Sequence, residues 1–237
     1  MNLKSALTTL VVTMLAATAS AKSIGINFVG KNAKMQRLAS AAVAGATGVA
    51  QSHWNNLVVK NNDANGKYNH GVLKKVMDSG GARVKGLLVK VNTGSDHATK
   101  LWSTNGAPWG FKGGNLILQR GILWPRPQIT IVGIPYAKYK VYVYLNAEGS
   151  GGVGSVAIAA KGHGKVDPTN TYYYHVVWLG GHFKPATATS LKAGRKQKSN
   201  CVVFKGNTAR KITIKVNGTL AGGWTGVSGV QIVDSGK

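Results

Sequence analysis

Two segments of the chain alternate strictly between apolar and polar side chains, which restricts them to β-strands with one buried face. In Lys211–Asn217, the apolar residues Ile212, Ile214 and Val216 are separated by Lys and Thr residues, and Tyr139–Asn146 shows the same period of two. Successive side chains of a strand point to opposite faces, so this pattern is typical of a sheet with one dry and one wet side. The residues predicted to lie in the core are Ile212, Ile214, Val216, Val141, Val143, Val202 and Phe204.

Short β-rich runs recur along the whole chain and are separated by turn residues. The runs are rich in Val, Ile, Thr and Tyr, and many of the 32 Gly residues lie between them. Many short strands of this kind predict a sandwich or a barrel. The predicted strands are Ser23–Val29, Asn56–Lys60, Ala82–Asn92, Asn115–Leu123, Gln128–Val132, Tyr139–Asn146, Ser155–Ala160, Tyr172–Trp178, Asn200–Lys205, Lys211–Asn217 and Ser228–Val233. An Ala-rich stretch, Met35–Ala50, has weak helical potential that Gly45 and Gly48 reduce.

The N-terminus has the pattern of a secretory signal peptide. Lys4 precedes the uncharged segment Ser5–Ala21, which ends in the small residues Ala19, Ser20 and Ala21. This segment is short for a transmembrane anchor, which needs about 20 strongly apolar residues. We therefore expect residues 1–21 to be a cleaved signal, residues 22–237 to form a single β-sandwich domain, and the mature chain to have no membrane span. The only cysteine, Cys201, is interpreted as a buried strand residue, with an intermolecular disulfide or a reactive thiol as alternatives.

The charge balance is extreme. The chain has 30 Lys and Arg residues against 6 Asp and Glu, a net charge of +24. Between Asp167 and Asp234 there is no acidic residue but there are nine cations. Such a chain repels itself when compact, so an anionic partner would stabilise it, although adaptation for solubility is an alternative explanation.

Several segments, in order along the chain, resemble a known family. They are Ser23–Gly30, Trp54–Asn56, Leu118–Leu123, Ile131–Pro135, Tyr139–Tyr144, Val202–Phe204 and Gly229–Val233. Together they resemble a jelly-roll domain of exported bacterial proteins, similar to galactose-binding-like and carbohydrate-binding modules. The resemblance implies a two-sheet antiparallel jelly roll and carries no catalytic residues. The chain departs from the family in its charge, with Lys140 where an Asp is often found, so the resemblance implies no calcium or sugar site built on acids here.

Enzyme chemistry has little support in the sequence. Glycoside hydrolysis needs paired carboxylates, and only six acids are spread over the chain: Asp63, Asp78, Asp96, Glu148, Asp167 and Asp234. The segment Gly226–Val230 lacks the last Gly of a nucleophile elbow. We therefore expect no catalytic residues and no cofactor.

Metal and phosphate sites are also not indicated. The six histidines lack the close spacing of metal ligands and are interpreted as surface or hydrogen-bonded residues; facing positions of His175 and His182 across a hairpin are the alternative. Asn61–Gly66 imitates the start of a calcium loop but has Val72 at the twelfth position, so it is interpreted as a turn. Gly162–Lys165 lacks the full phosphate-loop pattern and is interpreted as a loop between strands.

Cations and aromatic rings are the candidate binding groups. Lys140, Tyr142 and Tyr144 share the strand face opposite Val141 and Val143, where rings beside a cation suit sugars or bases. More aromatics lie in Tyr172–His175, and four tryptophans lie near turns: Trp102, Trp109, Trp124 and Trp224. Each of these rings has a core position as its alternative. The predicted ligand-binding residues are Lys140, Tyr142, Tyr144, Lys192, Arg195, Lys196, Lys198 and Arg210.

Two functions remain open at this point, besides the enzyme that the scarce acids disfavour. One is a secreted, non-catalytic binding module for an acidic polysaccharide or another polyanion. The other is a structural or adhesive component of an extracellular matrix, which cross-links polyanions including extracellular DNA. The resemblance to carbohydrate-binding sandwiches favours the first by analogy.

Overall fold

A computed structural model describes residues 22–30, 36–61, 69–92, 100–103, 110–124, 126–147, 151–177 and 179–236. The predicted signal peptide, residues 1–21, lies outside these described residues. So do the imitated calcium loop after Asn61, three of the six acids (Asp63, Asp96 and Glu148) and Trp109.

The described residues form fourteen strands and two short helices. The strands are β1 (Ser23–Gly30), β2 (Asn55–Asn61), β3 (Asn69–Leu73), β4 (Leu88–Asn92), β5 (Lys100–Ser103), β6 (Gly121–Trp124), β7 (Gln128–Val132), β8 (Tyr139–Ala147), β9 (Gly152–Ala160), β10 (Thr171–Val176), β11 (Pro185–Ala186), β12 (Cys201–Asn207), β13 (Lys211–Gly222) and β14 (Thr225–Asp234). The helices are α1 (Gly113–Leu118) and α2 (Leu191–Lys196).

The strands build two sheets that pack as a sandwich, which confirms the predicted fold class. The first sheet has the order β11-β12-β8-β14-β1-β2, with β6 added to β14 and β5 added to β6. The second has the order β10-β9-β13-β7-β4-β3, and a short β2–β3 pairing joins the two sheets along one side. The pairs are antiparallel except β1–β2 and β11–β12, which are parallel. The arrangement is compatible with a jelly roll.

The core lies between the two sheets and contains every residue predicted for it. Ile212, Ile214, Val141, Val143, Val202 and Phe204 are fully buried, and Val216 is 4% exposed. In β13, Ile212 and Ile214 pair with Ile131 and Ile129 of β7, so branched apolar side chains from neighbouring strands share the inner face. The alternation in the sequence thus identified the correct buried side.

The outer face of the first sheet is covered, which the sequence did not predict. Segment 36–54 and α1 lie over it and form a second apolar cluster. The cluster includes Trp54, Leu118, Tyr144 and Cys201, all buried. Cys201 is fully buried in β12, so it is the buried strand residue that the sequence indicated, and this burial raises the pKa of its thiol.

Two predicted strands are wrong in part. The segment Asn115–Leu123 contains four residues of α1 followed by three of the four residues of β6. Gly114, in the first turn of α1, occupies a site where a Cβ would lie 2.2 Å from the carbonyl oxygen of Val43, so the helix packs directly against the covering segment. The predicted strand Ala82–Asn92 begins only at Leu88, after Gly86 with φ of +77°. Strands β3, β5 and β11 were not predicted.

Candidate functional site

The side of the sandwich opposite the β2–β3 pairing is closed by α2 and the segments that flank it. Here β10 ends the second sheet and β11 ends the first. Isolated bridges join Tyr173 to Ala188 and His175 to Lys198, so residues 187–198 connect the two sheets. A run of basic residues is therefore fixed across one edge of the fold.

Helix α2 is fixed by a cap and by close packing. The Ala193 N–H donates to the Ser190 hydroxyl oxygen at 3.3 Å, which satisfies one free amide of the first turn. A Cβ on Gly194 would lie 2.4 Å from the Cβ of Tyr173, so only glycine permits this approach to β10. Arg195 and Lys196 occupy the last turn, where the helix dipole favours positive charge.

Gln197 and Asn200 fix the backbone on either side of the site. The Gln197 Oε1 accepts hydrogen bonds from the Thr187 and Ala188 N–H groups, both at 2.9 Å. The buried Asn200 accepts from the Lys184 N–H at 2.7 Å through its Oδ1. Side-chain amides thus hold Lys184 and the segment at residues 187–188 near the C-terminal end of α2.

A cleft of about 670 Å³ opens between these elements, and we call it the lysine cleft. It is lined by Lys184, Thr187, Ala188, Thr189, Ala193, Lys196, Gln197 and Lys198. The three lysines are exposed, and none of the described lining residues is acidic. Ammonium groups beside hydroxyl and amide groups suit a sulfate, phosphate or carboxylate on a ligand.

The structure brings together only part of the predicted binding set. Lys196 and Lys198 line the cleft, and Lys192 and Arg195 are exposed on the adjoining helix. Lys184 was not predicted as a binding residue, because it reaches the cleft only through the pairing of β11 with β12.

Arg210 and Lys140 lie at the other end of β12. Arg210 follows β12, which is seven residues long, so the strand separates it from the cleft by roughly 20 Å. Tyr139 pairs with Asn207, the last residue of β12, and this pairing places the half-buried Lys140 at the same far end. The predicted contact region from Lys192 to Arg210 is therefore two separate basic regions.

Tyr144 is not exposed, and the prediction of an accessible ring is wrong for it. Its side chain is fully buried, and the centre of its ring lies 4.6 Å from the centre of the Phe183 ring. Its hydroxyl donates to the Gln231 Oε1 at 2.6 Å and accepts from the Ala46 N–H at 3.0 Å. Tyr142, on the same face, is half-buried at the edge of this cluster. The covering segment 36–54 causes the difference.

Replacement of Tyr144 by Phe is expected to destabilise the fold by about 1–3 kcal/mol, because the Ala46 N–H and the Gln231 Oε1 would remain buried without their partner. Tyr142→Phe, which removes a hydroxyl from the half-buried neighbour, is the control and should change the free energy of unfolding by less. Denaturant unfolding measures both. Equal effects of the two variants would contradict the assigned burial.

The tryptophans differ in exposure. Trp54 and Trp124 are buried, at 4% and 8% exposure, whereas Trp224 is 49% exposed. The side chain of Trp102 lies outside the described part of the structure. Tyr172, Tyr173 and His175 are half-buried on β10, and Tyr174 is fully buried.

The described acids are used to hold backbone turns. Asp167 is 5% exposed and accepts from the Thr169 N–H at 2.9 Å and the Lys205 N–H at 2.7 Å. Asp78 accepts from the amides of Gly80 and Ala82, both at 2.9 Å. Burial raises the pKa of the Tyr136 hydroxyl, and the negative charges of Asp78 and Asp234 raise it further.

Among the described residues, no three His, Cys, Asp or Glu side chains converge on a point that would hold a metal ion. The His175 Nδ1 instead lies 3.2 Å from the Arg195 carbonyl oxygen. In the loop Gly162–Lys165, the Lys165 N–H donates to the Thr208 hydroxyl at 2.9 Å, so this amide is already used.

No protein-family model matches the sequence, and no curated protein matches it either. In the part of the chain that the structure describes, none of the helices has the length and apolar character needed to cross a membrane.

Proposed function

We propose that this protein is an exported, non-catalytic binding protein for an acidic polysaccharide or a similar polyanion, and that the lysine cleft is its main contact. The observation that carries the proposal is the convergence of Lys184, Lys196 and Lys198 on one cleft whose described lining holds no acid, in a chain of net charge +24. The flanking Lys192 and Arg195 extend this positive surface along α2.

The physical basis is the high charge density of a polyanion. Such a polymer condenses counterions, and bound lysines release them, so binding gains entropy and depends on salt. The fixed backbone around the cleft supports this, because lysines on an ordered scaffold lose less freedom on binding. Hydroxyl and amide groups of Thr187, Thr189 and Gln197 would add hydrogen bonds to the ligand's oxygens.

A polysaccharide is preferred over DNA because the fold resembles carbohydrate-binding sandwiches of exported proteins, and the N-terminal sequence pattern supports export. The scarcity of carboxylates supports a binding role rather than glycoside hydrolysis.

Titration tests the proposal. Heparin-like, uronate-rich and duplex DNA polymers are added to the protein at several salt concentrations between 50 and 500 mM, and the affinity is measured. Binding to at least one acidic polysaccharide at 50 mM salt is expected, and its affinity should fall steeply as salt rises. Absence of binding to every polyanion at 50 mM salt would leave solubility as the explanation of the charge.

A second candidate function, the cross-linking of polyanions in an extracellular matrix, is favoured by one observation. Exposed cations lie at both ends of β12: the lysine cleft at one end, and Lys205 and Arg210 at the other. A protein with two basic regions should bridge polymer chains, so substoichiometric protein should raise the light scattering of a polymer solution. Scattering that stays at the level of the polymer alone, under conditions where binding is saturated, would eliminate cross-linking.

A further inference from the structure

Trp224 is a large exposed apolar side chain with a fixed position. It lies in the turn between β13 and β14, and its ring stacks on Trp124 with a centre-to-centre distance of 4.2 Å and an angle of 22° between the planes. Trp124 is nearly buried, while 49% of Trp224 is exposed. Burial of Trp224 is thus incomplete although a partner ring is available, and the pair presents an aromatic surface to solvent.

The backbone around Trp224 is fixed by contacts that require glycine. The Gly223 N–H donates to the Gly151 carbonyl oxygen at 3.0 Å, and Gly222 pairs with Gly152. A Cβ on Gly152 would lie 1.9 Å from the carbonyl oxygen of Gly223, so the two backbones touch. On the other side, the buried Thr225 hydroxyl lies 2.8 Å from that of Tyr174. Because this turn is held on both sides, Trp224 would lose little freedom when a ligand stacks on it.

The position of this aromatic surface relates it to the lysine cleft. Gly222, two residues before Trp224, pairs with Gly152, and Gly152 pairs with Val176 of β10. His175, next to Val176, forms the bridge to Lys198 of the cleft. In register, the turn that carries Trp224 is therefore two strand spacings from β10, or about 10 Å. An extended polymer is long enough to contact both regions.

We propose that Trp224, supported by Trp124, is a stacking platform for one sugar ring of the glycan that the lysine cleft binds. The C–H face of a pyranose is apolar and packs flat on an indole ring. The face of the indole also attracts positive charge, which suits the partially positive C–H hydrogens of the sugar. This inference rests on the proposed function, and it adds recognition of the sugar ring itself to recognition of charge.

A sugar fits these observations better than a series of bases does. Proteins that bind single-stranded nucleic acid stack successive bases on several aromatic side chains along a groove. Among the Phe, Trp and Tyr residues whose burial is described, Trp224 alone is exposed, so it offers a single large ring for stacking. A single platform next to a cationic cleft suits a polymer that is anchored at one residue and held elsewhere by charge.

The test uses the full-length mature chain and two hexasaccharides, an acidic galacturonate oligomer and uncharged cellohexaose, at 500 mM salt, where charge is largely screened. The parent is expected to bind at least one of them, and Trp224→Ala should weaken that binding about 10-fold or more, in the range of a single aromatic stacking contact. Val72→Ala, which trims another exposed apolar side chain, is the matched control and should bind like the parent. Because Trp224 covers part of Trp124, its removal should lower the unfolding midpoint, so the midpoint is measured on the same samples and binding is compared at a temperature where every variant is folded.

Failure of this inference is distinguishable from failure of the proposed function. Parent and Trp224→Ala proteins that bind a hexasaccharide equally, or a parent that binds neither sugar at 500 mM salt, would overturn the platform while leaving charge-driven binding at 50 mM salt intact. A Trp224-dependent affinity for oligo(dT), with no such dependence for the sugars, would assign the ring to nucleobases and overturn it as well. Conversely, Trp224-dependent binding of cellohexaose would support the platform even if no polyanion bound at 50 mM salt.

Discussion

An Ile214→Asp variant is expected to lose about 4 kcal/mol or more of folding free energy, which would leave much of the population unfolded. Ile214 is fully buried in the middle of β13, between Ile129 of β7 and Ile158 of β9. An aspartate there has no polar partner among these neighbours. It would either be buried as an unpaired charge or be forced to take up a proton, and both outcomes destabilise the folded state.

The adjacent residue provides the control. Lys215 follows Ile214 on the same strand but is exposed on the outer face, so Lys215→Asp places the same new side chain in water. That variant should remain within about 0.5 kcal/mol of the parent. Denaturant unfolding, followed by tryptophan fluorescence, measures both variants. Equal shifts of the two midpoints would mean that the assignment of the buried face of β13 is wrong.

Strands with a strict alternation were predictable because the period of two defines both the element and its buried side. For Lys211–Asn217 and Tyr139–Asn146, the sequence identified where the strands begin and which residues enter the core. For Asn115–Leu123, the run Leu116, Ile117 and Leu118 has no alternation, so strand and helix were equally compatible with it. The helix packs through Gly114 against Val43, a contact between residues distant in sequence that the local pattern does not reveal.

The candidate site was only partly predictable for the same reason. A local run of charge identified Lys196 and Lys198, because charged side chains on a short loop or helix are usually exposed. Lys184 required knowledge of which strand pairs with β12. The sequence also could not distinguish the exposed Trp224 from the buried Trp54, since both lie near Gly or polar residues and differ only in what covers them.

Replacing the three lysines of the cleft by Gln (Lys184→Gln, Lys196→Gln and Lys198→Gln) is expected to flatten the salt dependence of polyanion binding. With four to six contacts, the affinity of the parent for duplex DNA should fall by roughly two to four orders of magnitude between 50 and 200 mM salt. Each lysine that contacts a phosphate contributes about 0.9 to the slope of log affinity against log salt. Loss of all three contacts should therefore lower the slope by nearly three, and should weaken binding most at low salt.

A second triple variant with the same loss of charge determines whether location matters. Lys74, Lys75 and Lys85 are exposed near β3 and β4, at the far end of the second sheet from β10. Because long-range attraction depends on total charge, their replacement by Gln should weaken polymer binding somewhat relative to the parent. It should leave the slope of log affinity against log salt nearly unchanged if these residues do not contact the polymer. Equal flattening by the two triple variants would mean that the charge acts diffusely and that the lysine cleft is not the main contact. A slope lowered only by the cleft variant, for an acidic polysaccharide as well as for DNA, is the result expected of a localised binding site, since only groups that touch the polymer displace its condensed counterions.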